Sequence, residues 1–187
     1  PVPQEAVEFA DIFWKANRFA ENDVVVALNP FASCMTKEWY GDKWAAVIRE
    51  LLSNGIKLFF TCAPLEKKGL EKIEEKVGDS LPAYAGSALI PLMGLYKKSS
   101  AVLSVDSGPR HLAAAVGTPT LTVWGPEPVE RWHPYNTDKH PIALKAVFCR
   151  PCGLSVCVEQ KHECMAKLEP PQVIHELKLL LRRAVGV

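Results

Sequence analysis

Short apolar runs alternate with amphipathic stretches along most of this chain. Apolar runs predict strands at 24–28, 57–62, 101–105 and 118–124, with weaker extended segments near 81–85 and at 142–146. Apolar residues at helical spacing predict helices at 4–20, 43–53, 65–77, 88–99 and 171–183, and an Ala-rich helix directly after Pro109. The order is strand then helix, repeated with short connections.

This order predicts the fold class. Strands that are apolar throughout belong in a parallel sheet covered by helices on both faces. We therefore expect an α/β fold, a Rossmann-like parallel sheet, over residues 23–187. Ligands of such sheets bind beyond the carboxyl ends of the strands. The loops that matter are then 29–42, 62–66, 84–88, 105–111 and 124–135.

Composition narrows the function classes. The chain has 22 basic and 21 acidic residues and a formal net charge of +1, which argues against a nucleic-acid binder. No apolar run approaches the roughly 18 to 20 residues that a membrane span needs, and the start does not resemble a signal peptide. The chain begins without Met in a proline-flanked segment. We therefore expect residues 1–22 to be a linker and helix from an amino-terminal domain outside this chain.

The turn at 106–109 ends one predicted strand and starts the Ala-rich helix. Gly108 lets a ligand approach the backbone closely, and Pro109 suits the first turn of a helix. Free N–H groups and the helix dipole together predict an anion site. The alternative is an ordinary helix cap made by Asp106 or Ser107. The chain has neither GxGxxG nor GxxxxGK[ST], so no nucleotide fingerprint decides between the two.

Two side chains from the same helical turn add to the anion hypothesis. Arg110 and His111 can both supply charge or hydrogen-bond donors to the site. The alternative for His111 is that it only packs at the strand end. A nucleophilic role for Ser107 is weaker, because the chain has no GxSxG elbow and no recognisable partner pair. Asp106 is an unsuitable base beside a diphosphate, because like charges repel. We expect Asp106 to hold the turn or to bond a ligand hydroxyl.

Polar residues also follow the first two strands. Ser33 and Cys34 can donate hydrogen bonds to a phosphate, and Lys37 can neutralise one of its charges. The alternative is a solvated lysine in a loop. Glu66 follows the second strand, where a carboxylate can accept both hydroxyls of a ribose. The alternative for Glu66 is charge complementation at a helix start.

The loop after 118–124 carries a polar and aromatic cluster. Glu127 follows the strand end, and Arg131, Trp132, His133 and Tyr135 come shortly after it. The cluster either lines a sugar pocket or packs as a loop anchored by Trp132. Both alternatives stay open at this point.

Six cysteines fall into two groups. Cys34 and Cys62 stand singly near strand ends and are predicted to be reduced thiols. The other four lie in a loop at 149–164 with the spacing C-x2-C-x4-C-x6-C: Cys149, Cys152, Cys157 and Cys164. A structural zinc site, two disulfides and apolar packing all fit this spacing, which is tighter than that of common zinc ribbons. A structural role is favoured, because the loop lies outside the predicted ligand edge.

Three ordered segments together resemble one family. They are NPFASCMTKEWYGDKWAAVIREL, VDSGPRHLAAAVGTPTLTVWGPEP and the terminal CRPC…C…CM…PPQVIHEL. They resemble glycosyltransferase family 9, the ADP-heptose:lipopolysaccharide heptosyltransferases, and in particular the carboxy-terminal half of these enzymes. The resemblance runs from about Val24 to the end of the chain. It implies one half of a GT-B architecture, in which two Rossmann-like domains face each other across a cleft.

The resemblance implies that this half binds the nucleotide-sugar donor. The implied donor-binding residues are Ser33, Cys34, Lys37, Glu66, Ser87, Asp106, Ser107, Gly108 and His111. Backbone near Ser87 is expected to meet the adenine. Cys34 departs from the hydroxyl residue often found at its position, which puts its side-chain bond in doubt. Lys37 and the amides of residues 107 and 108 are expected to stabilise the leaving diphosphate.

The resemblance also implies an inverting reaction that needs no metal cofactor. The chain has no D-x-D sequence, which fits that expectation. The expected catalytic base lies in the amino-terminal half, so this chain holds none and is expected to be inactive alone. The expected donor is ADP-heptose and the acceptor a lipid-linked saccharide of the lipopolysaccharide inner core.

The implied setting is the cytoplasmic face of the inner membrane, with peripheral membrane contact and no nucleic-acid partner. The alternative is a stand-alone nucleotide-binding or regulatory module, in which the cysteine loop is a zinc or redox element.

Overall fold

Six parallel strands form one sheet in the computed structural model, which describes residues 1–133 and 135–186. The strands are β1 (Val25–Asn29), β2 (Lys57–Cys62), β3 (Ala83–Ala85), β4 (Ala101–Val105), β5 (Thr120–Trp124) and β6 (Ile142–Leu144). Their order across the sheet is β3-β2-β1-β4-β5-β6, and every adjacent pair is parallel. The predicted Rossmann-like parallel sheet is confirmed, and the four strongly apolar strands begin and end within two residues of their predicted bounds.

Helices cover both faces of the sheet, as predicted. They are α1 (Gln4–Ala16), α2 (Gly41–Ser53), α3 (Lys67–Val77), α4 (Leu89–Lys98), α5 (Gly108–Ala115), α6 (Val129–Trp132), α7 (Glu163–Ala166) and α8 (Pro170–Val185). The apolar faces of α2, α3 and α8 pack on one side of the sheet, and those of α1, α4 and α5 on the other. The short helices α6 and α7 were not predicted, because four residues are too few to show a helical period.

Helix α1 is part of this core. Its buried residues Ala6, Ala10 and Trp14 face α4 and the sheet, and the Trp14 ring meets the Phe59 ring edge-on at 5.6 Å. A Cβ atom on Gly94 of α4 would overlap the carbonyl oxygen of Ala6, so only glycine permits this close approach. The helix ends at Ala16, earlier than predicted. The assignment of residues 1–22 to another domain stays a prediction.

The sheet has one topological switch point. The chain leaves β1 toward β2 on one side, whereas β4 lies on the other side of β1, with Asn29 paired to Ser104. The loops after β1 and β4 therefore diverge and leave a crevice between them. In open α/β sheets this crevice is where ligands bind. Within the two described ranges, no helix combines the length and apolar character needed to cross a membrane.

His140 gives the fold a pH dependence. It is 6% exposed, its Nδ1 lies 3.0 Å from Thr120 Oγ1, and burial, with Lys139 as a smaller cause, lowers its pKa from 6.5 to about 4. Unfolding returns the pKa of His140 to its ordinary value. The contribution of neutral His140 to the free energy of unfolding is therefore fully present above pH 6.5 and is lost as the pH falls toward 4. We expect the free energy of unfolding to fall by up to about 3 kcal/mol between pH 6.5 and 4.

Urea unfolding at several pH values measures this dependence. His140→Asn keeps a polar atom near Thr120 Oγ1 but does not titrate, so its free energy of unfolding should fall less steeply over the same interval. An unchanged slope in this variant would assign the pH dependence to other groups. His111 and His133, whose pKa values burial also lowers, are the first to examine next.

Candidate functional site

A cleft of about 490 Å³ opens at the switch point, within the size range of small-molecule sites. The loops after β1, β2, β3 and β4 form its walls, and Trp132 closes one side. The predicted donor-binding residues that line it are Ser33, Lys37, Glu66, Ser87, Asp106, Ser107, Gly108 and His111. The structure therefore brings together eight of the nine residues, and the exception is Cys34.

The turn before α5 is tied to the neighbouring strands. The Ser107 hydroxyl donates to Asn29 Oδ1 at 3.0 Å, and the Asn29 amide donates to the carbonyl oxygen of Thr61 at 2.9 Å. Ser107 occupies the N-cap position, yet no side chain of the described residues caps α5. The predicted alternative of a side-chain cap is therefore wrong. The helix start remains available to an anion in the cleft.

Gly108 faces open space. A Cβ atom added to Gly108 would meet no protein atom within 4 Å, and its φ is not positive. The fold itself therefore does not require glycine at this position.

We expect Gly108→Ala to leave the free energy of unfolding within about 0.5 kcal/mol of the parent protein, because alanine also favours helix. The same variant should lose at least about tenfold in affinity for a diphosphate ligand, since the methyl group occupies the anion position. Urea unfolding and calorimetric titration with ADP measure the two effects. A stable variant with unchanged affinity would remove Gly108 from the site.

Asp106 and Arg110 form a buried ion pair behind the cleft. Arg110 Nε donates to Asp106 Oδ1 at 3.0 Å, and the two side chains are 1% and 4% exposed. The guanidinium also lies 4.7 Å from the centre of the Trp124 ring and donates to the carbonyl oxygen of Trp132. The expectation that Arg110 supplies charge directly to the anion site is therefore wrong. Its side chain points into the protein and orients Asp106.

Lys37 is the cation that lines the cleft. Its Nζ lies 3.1 Å from Asp106 Oδ2 and 3.2 Å from Glu127 Oε1. Burial lowers the pKa of Lys37, but the two carboxylates outweigh burial, so its pKa is above the ordinary value. The side chain is therefore an ammonium at neutral pH. The alternative of a solvated lysine is wrong, because two ion pairs fix this side chain.

His111 lines the cleft beside the turn. Its Nδ1 lies 2.6 Å from the Tyr135 hydroxyl, which fixes the ring. Burial, with Arg110 as the next cause, lowers the pKa of His111, so it is neutral at pH 7. A neutral imidazole can offer a hydrogen bond to a ligand but adds no charge.

The remaining predicted residues form the far end of the cleft. Glu66 Oε2 accepts a hydrogen bond from the Ala63 N–H at 2.7 Å, so this carboxylate both orders its own turn and lines the cleft. Ser87 follows β3, where the Tyr84 hydroxyl donates to the carbonyl oxygen of Ala88. Cys62 also lines the cleft, and burial raises its pKa to about 11, which makes it an unreactive thiol.

Cys34 does not line the cleft. Its Sγ is 3.0 Å from Thr36 Oγ1, and Thr36 Oγ1 donates to the carbonyl oxygen of Leu154 at 2.8 Å. His162 Nε2 lies 2.7 Å from the carbonyl oxygen of Thr36, as a donor would. The loop after β1 is therefore hydrogen-bonded to the cysteine loop at 149–164.

The cysteine loop also holds the loop after β5. Arg150 Nε donates to the carbonyl oxygen of Gly125 at 2.6 Å, and the Cys152 N–H donates to that of Pro126 at 3.1 Å. None of its residues lines the cleft, as expected, but the loop packs against the ligand edge. It contacts the two loops that carry Lys37 and Glu127.

All six cysteines are free thiols, so the alternative of two disulfides is wrong. Within residues 1–133 and 135–186, no three Cys, His, Asp or Glu side chains are grouped as metal ligands. The zinc hypothesis for Cys149, Cys152, Cys157 and Cys164 stays a prediction. Cys164 is buried on α7, whereas Cys152 is exposed.

Asn29 and Glu127 matter here but were not predicted as site residues, and the role considered for Arg110 was not the one that the structure gives it. Asn29 is a polar residue at the end of an apolar strand, which is a signal that sequence reasoning could have used. Glu127 was noted at a strand end but given no role. Nothing in the sequence shows that Arg110 turns inward, because that depends on how Trp124 and the loop around Trp132 pack.

A doubly wound parallel sheet with a helix start, an ammonium and a carboxylate at its switch point is the architecture of nucleotide-binding α/β domains. The family model described as "Glycosyltransferase family 9 (heptosyltransferase)" matches residues 4–163. The chain belongs to glycosyltransferase family 9, and the predicted resemblance is confirmed.

Individual relatives agree with the family. The chain is 29% identical over 142 residues to lipopolysaccharide heptosyltransferase 3 of Escherichia coli, an alignment covering 71% of this chain and 41% of that protein. A family 9 glycosyltransferase from Veillonella parvula superposes with a TM-score of 0.84 at 19% identity, over 98% of this chain and 53% of that one. The E. coli heptosyltransferase WaaC, solved with ADP, superposes with a TM-score of 0.67 at 19% identity, over 90% of this chain and 48% of that one. The chain thus spans about half the length of these relatives.

Proposed function

We propose that this chain is the donor-binding half of an inverting, metal-independent heptosyltransferase, which binds ADP-heptose for transfer to the lipopolysaccharide inner core. The observation that carries the proposal is the cleft at the switch point. Eight residues expected to bind a nucleotide sugar line it, although they come from four separate loops. The E. coli relative solved with ADP supports the choice of nucleotide.

The cleft accommodates the donor in a definite orientation. The start of α5 and Lys37 receive the diphosphate, because they supply N–H donors and a positive charge. Glu66 receives the ribose hydroxyls, and the loop near Ser87 receives the adenine. The sugar then lies toward His111 and Trp132.

The chemistry expected of this half is stabilisation of the leaving group. The acceptor hydroxyl attacks the anomeric carbon, the bond to the diphosphate oxygen breaks, and negative charge grows on the diphosphate. Lys37 and the N–H groups of residues 107 and 108 are held in place beforehand, so they stabilise this charge without rearrangement. The residue that removes the acceptor proton is assigned to the other half of the enzyme. Work at the cytoplasmic face of the inner membrane, with a lipid-linked acceptor, belongs to the same proposal.

Nucleotide titration tests the proposal. ADP is expected to bind the 187-residue chain more tightly than UDP or CMP, since the cleft extends from the start of α5 to the loop at Ser87. Ser107→Ala removes the bond to Asn29 and should weaken ADP binding by about three- to tenfold. Equal binding of all three nucleotides would favour a general nucleotide-binding module. Failure of ADP to bind would contradict the donor-site proposal.

A further inference from the structure

We propose that Glu127 is a positioning residue of the donor site, which holds the Lys37 ammonium from outside the cleft and competes with the diphosphate for it. This inference rests on the proposed function of the cleft. Glu127 Oε1 lies 3.2 Å from Lys37 Nζ, yet Glu127 is not among the residues that line the cleft. It therefore acts on the donor through Lys37.

The carboxylate of Glu127 is itself fixed by its neighbours. Trp132 Nε1 donates to Oε2 at 3.1 Å, so each carboxylate oxygen has its own partner. The backbone is held as well, because Trp124 Nε1 donates to the carbonyl oxygen of Glu127 at 2.8 Å. Arg150, from the cysteine loop, donates to Gly125 just before it. The carboxylate is therefore held between Trp132 and Lys37, on a backbone that is itself hydrogen-bonded.

The two carboxylates leave one proton of Lys37 for the ligand. An ammonium carries three N–H donors. Asp106 Oδ2 accepts one of them at 3.1 Å, and Glu127 Oε1 lies 3.2 Å from the same nitrogen, close enough to take a second. The third is left for the cleft that Lys37 lines. Glu127 therefore helps to direct the third N–H group of Lys37 toward the diphosphate position.

Glu127 also sets the charge of the site. Lys37 and Arg110 carry two positive charges, and Asp106 and Glu127 carry two negative ones, so the group is neutral. His111 adds no charge at pH 7 because its pKa is lowered. A diphosphate is thus bound by oriented N–H groups beside four charged side chains whose charges cancel. This limits how tightly the diphosphate product is retained after transfer.

Glu127→Gln separates charge from shape. Glutamine still offers an oxygen to Lys37, but the negative charge is gone and the group becomes +1. We expect ADP to bind about three- to tenfold more tightly than to the parent chain. AMP, which has one phosphate fewer, should gain less. Glu130→Gln is the matched control, because Glu130 is exposed on the adjacent helix and makes the same charge change.

Calorimetric titration of the parent chain and both variants with ADP and AMP decides the matter. Tighter ADP binding in Glu127→Gln alone, with a smaller gain for AMP, supports the proposal. Unchanged or weaker ADP binding in Glu127→Gln overturns it, and so does an equal gain in Glu130→Gln. Failure of ADP to bind even the parent chain refutes instead the donor-site proposal on which this inference rests.

Discussion

Lys37→Ala is expected to weaken ADP binding by about 10- to 100-fold. The ammonium is the only lysine or arginine charge among the residues that line the described cleft, and a charge-assisted bond to a phosphate contributes about 1.5 to 3 kcal/mol. The substitution also leaves Asp106 and Glu127 without their shared cation. Both carboxylates then repel the diphosphate.

Calorimetric titration with ADP measures the effect. Lys72→Ala is the control, because Lys72 is exposed on α3 and its loss removes the same charge without touching the cleft. Lys37→Arg keeps the charge but changes the shape of the donor, so intermediate affinity is expected. Equal affinities of the Lys37→Ala and Lys72→Ala variants would show that the diphosphate does not bind at Lys37.

Arg110→Met is expected to destabilise the fold by about 3 kcal/mol. The substitution leaves the buried carboxylate of Asp106 without its guanidinium, and breaking one partner of a buried pair is costly. The stacking of Arg110 on Trp124 is lost at the same time. ADP affinity should also fall, because Asp106 then no longer holds Lys37 in one position.

A double-mutant cycle tests whether the ion pair is responsible. Asp106→Asn combined with Arg110→Met removes both charges, so the double variant should be more stable than Arg110→Met alone. Urea unfolding followed by tryptophan fluorescence gives the free energies. If the two substitutions are additive, the cost comes from lost packing of Arg110, and Asp106 is not oriented by it.

The sequence was a good guide to the edge of the sheet that carries the site. Polar residues stand at or just after the ends of the apolar strands, as at Asn29 and Asp106, and parallel strands bring those ends together. That argument placed Ser33 and Glu66 near the turn at 106–109, whereas Ser87 came from the family resemblance. The strand-end argument failed for Cys34, because a loop residue's direction depends on what packs against the loop.

The cysteine loop shows the same limit more clearly. Its spacing suggested a metal or disulfide element away from the ligand edge, yet its backbone and His162 contact the loops that carry Lys37 and Glu127. The reason is that a loop without a period carries no local signal of its position. Its contacts with Thr36 join residues 118 and 126 positions apart.

The sequence by itself determined the strands, the helices, the parallel sheet and the edge at which ligands bind, because periodicity and strand ends are local properties. Only the tertiary structure decided that Arg110 turns inward and that Lys37 lies between Asp106 and Glu127. Lys37 and Asp106 are 69 positions apart, and their meeting depends on the switch point between β1 and β4. Charge pairs of this kind are set by packing between loops, which no local pattern encodes.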